Sequence, residues 1–114
     1  NICSINAHQA FPNNPGYVAS KGGVLSLTRS LALDFSKYKI RVNSISPGYI
    51  KTNMTKKSFK SKKKFNDRKN RTMLNRWGNP DDLFGIIEYL ISNKSSYTTG
   101  QDFIIDGGWT SKGL

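Results

Sequence analysis

Residues Tyr17 to Gly48 read YVASKGGVLSLTRSLALDFSKYKIRVNSISPG, and a change of period inside this stretch decides the fold class. From Tyr17 to about Tyr38 there is no proline, and Val24, Leu25, Leu27, Leu31, Ala32 and Phe35 recur at spacings of three and four. That is the helical period. From Ile40 to Ser46 apolar and polar residues alternate, and the alternation stops at Pro47-Gly48, as a strand closed by a turn does. Upstream, Ile2-Cys3-Ser4-Ile5 is a short apolar run, followed by the turn formers Pro12, Asn13, Asn14, Pro15 and Gly16. It reads as a strand end and a loop. Downstream, Asn79-Pro80-Asp81-Asp82 supplies an N-cap, a first-turn proline and two acids ahead of Leu83, Ile86, Ile87, Leu90 and Ile91, so a second main helix runs to about Asn93. Gly100 to Ile105 is a last strand, closed by Asp106-Gly107-Gly108.

The order strand, helix, strand, intervening segment, helix, strand predicts a doubly wound α/β sheet with parallel strands and helical crossovers. Three strands and two main helices are expected. A parallel sheet buried on both faces needs central strands that these residues do not supply. Residues 1–114 are therefore expected to be a single partial domain, its N-terminal half absent, and to be unstable on its own. The start at Asn1-Ile2-Cys3-Ser4-Ile5, without Met, basic leader or cleavage site, fits a beginning in mid-protein.

The formal charge is +11, but it is not spread evenly. Eleven basic residues lie between Lys51 and Arg76 against the single acid Asp67, and the remainder is nearly neutral. The charge belongs to one segment, 51–76, in which Met54, Phe59, Phe65, Met73 and Leu74 show no apolar face. A mobile lid or a surface helix is expected there. No apolar run approaches the roughly 18 to 20 residues of a membrane span. The lone Cys3 has no internal disulfide partner and reads as a small buried hydrophobe in a reducing, cytoplasmic setting.

Tyr17 and Lys21 are four apart at the start of a helix, so their side chains share one face. An ammonium beside a phenol favours the phenolate, which suits proton transfer to and from an alcohol or carbonyl oxygen. Ser4 stands thirteen residues before the tyrosine at the carboxyl end of a strand, where α/β sheets bind ligands. His8, in the loop after Ser4, reads as a solvated or substrate-side residue. No Cys/His cluster supports a metal site.

The segment Tyr17-Val18-Ala19-Ser20-Lys21, with Ser4 before it, resembles the active-site segment of the short-chain dehydrogenase/reductase family. Arg41 through Thr52 is similar to that family's strand and Pro-Gly turn. Arg76 to Leu83, and Thr99-Gly100-Gln101 through Trp109, are similar to its last helix and strand. In style the chain is closest to the 3-oxoacyl-(acyl-carrier-protein) reductases. The resemblance implies the C-terminal part of a Rossmann fold and an NAD- or NADP-dependent oxidoreductase interconverting a carbonyl and a secondary alcohol. Tyr17 would be the general acid and base, Lys21 would favour its phenolate and hold the nicotinamide ribose, and Ser4 would hold the substrate oxygen. Pro47 and Gly48 would shape the turn under the nicotinamide, Ile50 would offer its backbone to the carboxamide, and Thr52 its hydroxyl, unless Thr52 is a plain helix N-cap. The choice between the two cofactors is not legible in these residues.

The same resemblance makes 51–76 a substrate lid and the full-length enzyme a homodimer or homotetramer, with the stripe on residues 24–35 compatible with a helix contact. Two explanations of the lid's charge stay open: lysines tolerated at solvated positions, and steering of an anionic substrate such as an acyl thioester or a nucleotide sugar. Two other classes of function stand beside the enzyme. A truncated or inactive paralogue acting in assembly is opposed by an intact Ser4, Tyr17 and Lys21. A nucleic-acid-binding module, with Phe59 and Phe65 stacking on bases, lacks any surrounding motif.

Overall fold

The computed structural model describes residues 1–112. Helix α1 (Pro15–Ser36) begins where the Asn14 side chain accepts the Tyr17 N–H at 3.4 Å and proline fills the first turn. Leu25, Thr28 and Ala32, spaced by three and four, are its buried face. Leu27, Leu33 and Phe35 are exposed, so only part of the predicted apolar stripe packs inward. Strands β1 (Ser44–Pro47) and β2 (Asp102–Ile105) pair in parallel, Ser44 opposite Asp102 and Pro47 opposite Ile105. Between them lie α2 (Lys56–Lys60), α3 (Lys62–Arg71) and α4 (Phe84–Ile91).

The parallel α/β class is as expected, but the element count is not: two strands and four α-helices form among the described residues, instead of three strands and two main helices. The predicted first strand is reduced to one parallel bridge, Ile2 to Ile45, with Cys3 N–H donating to Ile45 O at 2.8 Å and Ile45 N–H to Asn1 O at 3.0 Å. Immediately after it Ser4 caps a 3₁₀ turn over Ile5–Ala7, its hydroxyl accepting the Asn6 N–H, which turns the chain out of the ladder. The second strand begins at Ser44 because side chains occupy the ladder before it: Val42 N–H donates to Thr99 Oγ1 and Gln101 N–H to Asn43 Oδ1. The last strand shortens at the same place.

The two extra helices are in the basic segment, whose expected lack of an apolar face is also corrected. Phe65 stacks on Trp77 at 5.9 Å and 6°, Phe59 meets the same indole edge-on, and Trp77 Nε1 donates to Phe65 O at 3.0 Å. Tyr49 packs between Trp77 and Trp109, and Arg68 and Arg71 lie over the Tyr49 and Trp109 rings. The shared partner of Phe59 and Phe65, Trp77, lies just outside the basic segment, so helical periodicity within 51–76 cannot reveal it. Phe59 and Phe65 are engaged inside the protein, not presented to bases.

Helix α4 is entered through a 3₁₀ turn, Pro80–Leu83. Asn79 N–H donates to Asp82 Oδ2, and Arg76 grips both oxygens of that carboxylate at 2.7 Å. The hydrogen bonds from Arg76, then from the Asn79 backbone, hold the Asp82 carboxyl far below its ordinary range. The guanidinium bridges the end of the basic segment to the 3₁₀ turn that precedes α4.

Candidate active site

The site is assembled where β1, the Ser4 turn and the first turns of α1 converge. Ser4 is buried, and its Oγ accepts the Asn6 N–H at 3.1 Å. That bond uses an oxygen lone pair, so the hydroxyl proton remains available to a ligand. Tyr17 and Lys21 are both half-buried on one face of α1, the Lys21 Nζ 5.8 Å from the centre of the phenol ring. Lys21 is anchored at both ends. Its Nζ donates to Ile2 O at 2.9 Å, and its backbone carbonyl receives the Cys3 thiol at 3.1 Å. The thiol expected to be a buried hydrophobe is indeed buried, and it ties α1 to the segment carrying Ser4.

The turn beyond β1 forms the facing wall. Gly48 is required there by contact: a Cβ would stand 2.7 Å from Asp106 Cα. Asp106 belongs to the turn after β2, where Gly107 and Gly108 both have positive φ, a conformation glycine adopts without steric cost. Burial raises the Asp106 carboxyl's proton affinity, but hydrogen bonds from Thr110 and the backbone N–H groups of Thr110, Gly108 and Trp109 outweigh it and keep it ionised. The last strand and its Gly-Gly turn thus prop the Pro-Gly turn. Ile50 is buried and bridges to Gly78; its carbonyl accepts Thr55 Oγ1, so the backbone group left for a ligand is its N–H. Thr52 is exposed and is not the helix cap: Thr55 occupies the N-cap position of α2 and accepts the Thr52 N–H at 3.0 Å.

Ser4, Tyr17, Lys21, Pro47, Gly48, Ile50 and Thr52 all line one cavity of about 310 Å³. Its first and last lining residues, Ile2 and Leu83, are far apart in the chain and meet there because the sheet brings them together. Sequence reasoning did not find Asn6, Met54, Thr55, Pro80 and Leu83, which line it too. The signal that existed was local: Asn6 follows the motif serine by two, and Pro80 and Leu83 lie in the turn that opens α4. No lysine of the basic segment is in the lining; Met54 and Thr55 are its contribution beside Thr52. Among the described residues no group of three His, Cys, Asp or Glu could hold a metal, and no helix is long and apolar enough to cross a membrane.

His8 is exposed, as one of the two alternatives expected, and it is not among the residues lining the cavity. Its Nε2 lies 2.7 Å from Asp102 Oδ2, and the Asp102 side chain, only 6% exposed, also receives the hydroxyls of Ser44 and Ser46. Burial pushes the Asp102 carboxyl up, and the hydrogen bonds from Ser44, Ser46 and His8 together bring it below its ordinary range. The cluster fastens the loop between Ser4 and Tyr17 to β2. Nothing in the sequence pairs residues 8 and 102.

Residues 1–110 match the family described as Enoyl-(Acyl carrier protein) reductase. The chain is 38% identical over 112 residues to a 2-dehydro-3-deoxy-D-gluconate 5-dehydrogenase of Escherichia coli, covering 98% of this chain and 44% of that protein. It superposes on 4-hydroxyisoleucine dehydrogenase complexed with NADH with a TM-score of 0.94 and 44% identity, over 99% of this chain and 46% of that one. Against a gluconate 5-dehydrogenase from Burkholderia cenocepacia in complex with NADP and tartrate, the TM-score is 0.96 at 34% identity, over 99% and 44%. The chain spans less than half the length of the curated relatives it matches.

Proposed function

The chain belongs to the short-chain dehydrogenase/reductase family, and from that premise we propose that it is the catalytic part of an NAD(P)-dependent oxidoreductase interconverting a carbonyl and a secondary alcohol. The observation that carries this reading is the convergence of a buried serine hydroxyl, a phenol and an ammonium on one cavity wall opposite a Pro-Gly turn. Residues 1–114 are then one part of a larger dinucleotide-binding domain, with 51–76 as the substrate lid.

The residues present fit one side of a nicotinamide riboside. The Ile50 N–H is free of the contacts that occupy its carbonyl, the Thr52 hydroxyl is at the rim, and Ile2, Ile5, Met54 and Leu83 make the remaining surface apolar. Ile50 and Thr52 would hold the carboxamide, and Lys21 the ribose hydroxyls. When bound, the cofactor supplies or accepts hydride. In reduction, Ser4 donates a hydrogen bond to the carbonyl oxygen and Tyr17 delivers the proton as charge develops there. In oxidation Tyr17 accepts the proton from the alcohol. Lys21 stands beside the phenol in both directions, its ammonium held by Ile2 O, while the Cys3 thiol on its carbonyl fixes the turn of α1 that carries it.

A small, hydroxylated acid is the substrate class we favour. The cavity suits a molecule of few heavy atoms, two of the similar proteins are named for gluconates, and a third for a hydroxylated amino acid. Lys56, Lys57, Lys60, Lys62, Lys63 and Lys64 of the lid are exposed and none lines the cavity, so they could steer an anion without binding it. The exposed Leu27, Leu33 and Phe35 on α1 are the surface we assign to a second copy in a dimer or tetramer, and a cytoplasmic setting agrees with the free, buried thiol. The test is a spectrophotometric screen of the full-length protein with NADH and NADPH against ketones, and with NAD and NADP against hydroxy acids. Cofactor turnover with one of these classes is expected; none with any would overturn the reading.

A further inference from the structure

We propose that Asp106 is a positioning residue for the reaction: its carboxylate holds the turn after β2, and that turn sets the nicotinamide side of the cavity and the far end of the lid against each other. The assignment rests on the oxidoreductase reading above. Asp106 does not line the catalytic cavity, so it acts only through what its turn touches. Its Oδ1 accepts the Gly108 N–H at 2.8 Å, and its Oδ2 accepts the Thr110 N–H at 2.8 Å and the Thr110 hydroxyl at 2.7 Å. Three donors on one carboxylate close residues 106–110 into a turn whose middle, Gly107 and Gly108, has positive φ. Bonds to an ionised acceptor are roughly twice as strong as neutral ones.

The turn so fixed reaches both sides. Toward the cavity, Gly48 N–H donates to Ile105 O at 2.9 Å, and Gly48 faces Asp106 so closely that an added Cβ would stand 2.7 Å from the Asp106 Cα. Toward the lid, Gly107 O accepts the Leu74 N–H at 3.1 Å, and Lys112, just beyond the turn, donates to Asn70 O at 2.6 Å. Trp109 touches both: its ring centre lies 4.7 Å from that of Tyr49, the residue after Gly48, and 4.8 Å from the Arg71 guanidinium at the end of α3. Tyr49, Ile50, Thr72, Leu74, Asp106 and Gly107 line a second cavity, of about 140 Å³, so direct packing does not fix the spacing of these segments there. Loss of the carboxylate's bonds therefore shifts the Ile50 and Thr52 side of the cavity and the lid together. Ser4, Tyr17 and Lys21 are held by other bonds, in the Ser4 turn and α1.

Steady-state kinetics of the full-length enzyme, with the best cofactor and ketone of the screen, separate positioning from stability alone. Asp106→Ala should raise KM for the cofactor and for the ketone by about tenfold or more each, the scale of misplaced binding groups. The pH dependence of kcat should stay as in the wild type, because the Tyr17 and Lys21 pair is untouched. Asp106→Asn, which keeps one acceptor oxygen, and Thr110→Val, which removes only the hydroxyl donor, should raise both KM values by smaller factors. These two variants carry the test if Asp106→Ala does not fold. Urea unfolding of each variant supplies the comparison: stability lost with both KM values unchanged is the mark of a plain turn cap and overturns the assignment. A rise in one KM without the other, or a shifted pH profile of kcat, also overturns it, while leaving the oxidoreductase reading intact. No turnover by the wild type with any cofactor and ketone overturns both.

Discussion

The cavity wall and the basic segment differ in how they are held and in what their composition reveals. Ser4, Tyr17 and Lys21 are fixed by hydrogen bonds: a cap on the Ser4 turn, an Asn14 cap on α1, and two anchors that tie Lys21 to Ile2 and Cys3. The segment 51–76 carries nearly all the net charge, yet it is held by aromatic packing on Trp77, and none of its lysines lines the cavity. A conspicuous charge run is thus a poor guide to where chemistry occurs, and three uncharged or singly charged side chains at the right spacing are a good one.

Substitutions on the two sides should separate accordingly. The largest effect short of removing the phenol is expected for Lys21→Met, which takes away both the ammonium beside Tyr17 and the ribose contact. A loss of about 10³ in kcat/KM is expected, measured by steady-state turnover, together with weaker cofactor binding. Ser4→Ala should cost about 10² in kcat with little change in cofactor affinity, the range for one donor to a developing oxyanion. A Ser4→Ala enzyme within threefold of wild type would remove Ser4 from the chemistry.

On the lid side the expected loss is in stability. Trp77 is 2% exposed and receives Phe59, Phe65 and Tyr49, so Trp77→Ala should destabilise the full-length protein by about 3 to 5 kcal/mol, read from urea unfolding. A much smaller change would mean the lid is not docked there. Smaller still is the effect expected at the loop tether. The depressed Asp102 carboxyl contributes stability that is present above the ordinary carboxylate range and is lost as pH falls through its lowered folded value. The wild type should therefore lose more stability than Asp102→Val between neutral and acidic pH, with the two unfolding midpoints converging at the acid end. The smallest change is expected when Lys62, Lys63 and Lys64 are replaced by glutamine. An anionic substrate should lose kcat/KM by roughly threefold at low salt and almost nothing at physiological salt, where the Debye length is about 8 Å.

The contrast also explains what the sequence disclosed. The helix bearing Tyr17 and Lys21, the Pro47-Gly48 turn and the Asn79-Pro80 helix start were legible because their signals are local: period, cap and turn chemistry. The seven predicted site residues meet at one cavity because the sheet brings these local elements together. What was not legible depends on residues distant in the chain. The docking of Phe59 and Phe65 needs Trp77, the His8 tether needs Asp102, and the shortening of the first two predicted strands depends on Ser4, Asn43 and Thr99 diverting ladder bonds to side chains. A surface helix was one of the two expectations for 51–76, but its apolar face was missed because Phe59 and Phe65 serve a partner outside the segment. Asn6 was missed although its signal was local, two residues after Ser4 in the turn that Ser4 caps.

The account stands most directly on Tyr17. Tyr17→Phe keeps the ring and removes only the proton-carrying hydroxyl, so cofactor fluorescence should report nearly unchanged nicotinamide binding in the full-length enzyme. Turnover, followed by absorbance of the reduced cofactor with the best ketone of the screen, should fall by about 10³ to 10⁴. A Tyr17→Phe enzyme that binds cofactor normally and retains turnover within tenfold of wild type would contradict the assignment of this cavity as the site of proton transfer.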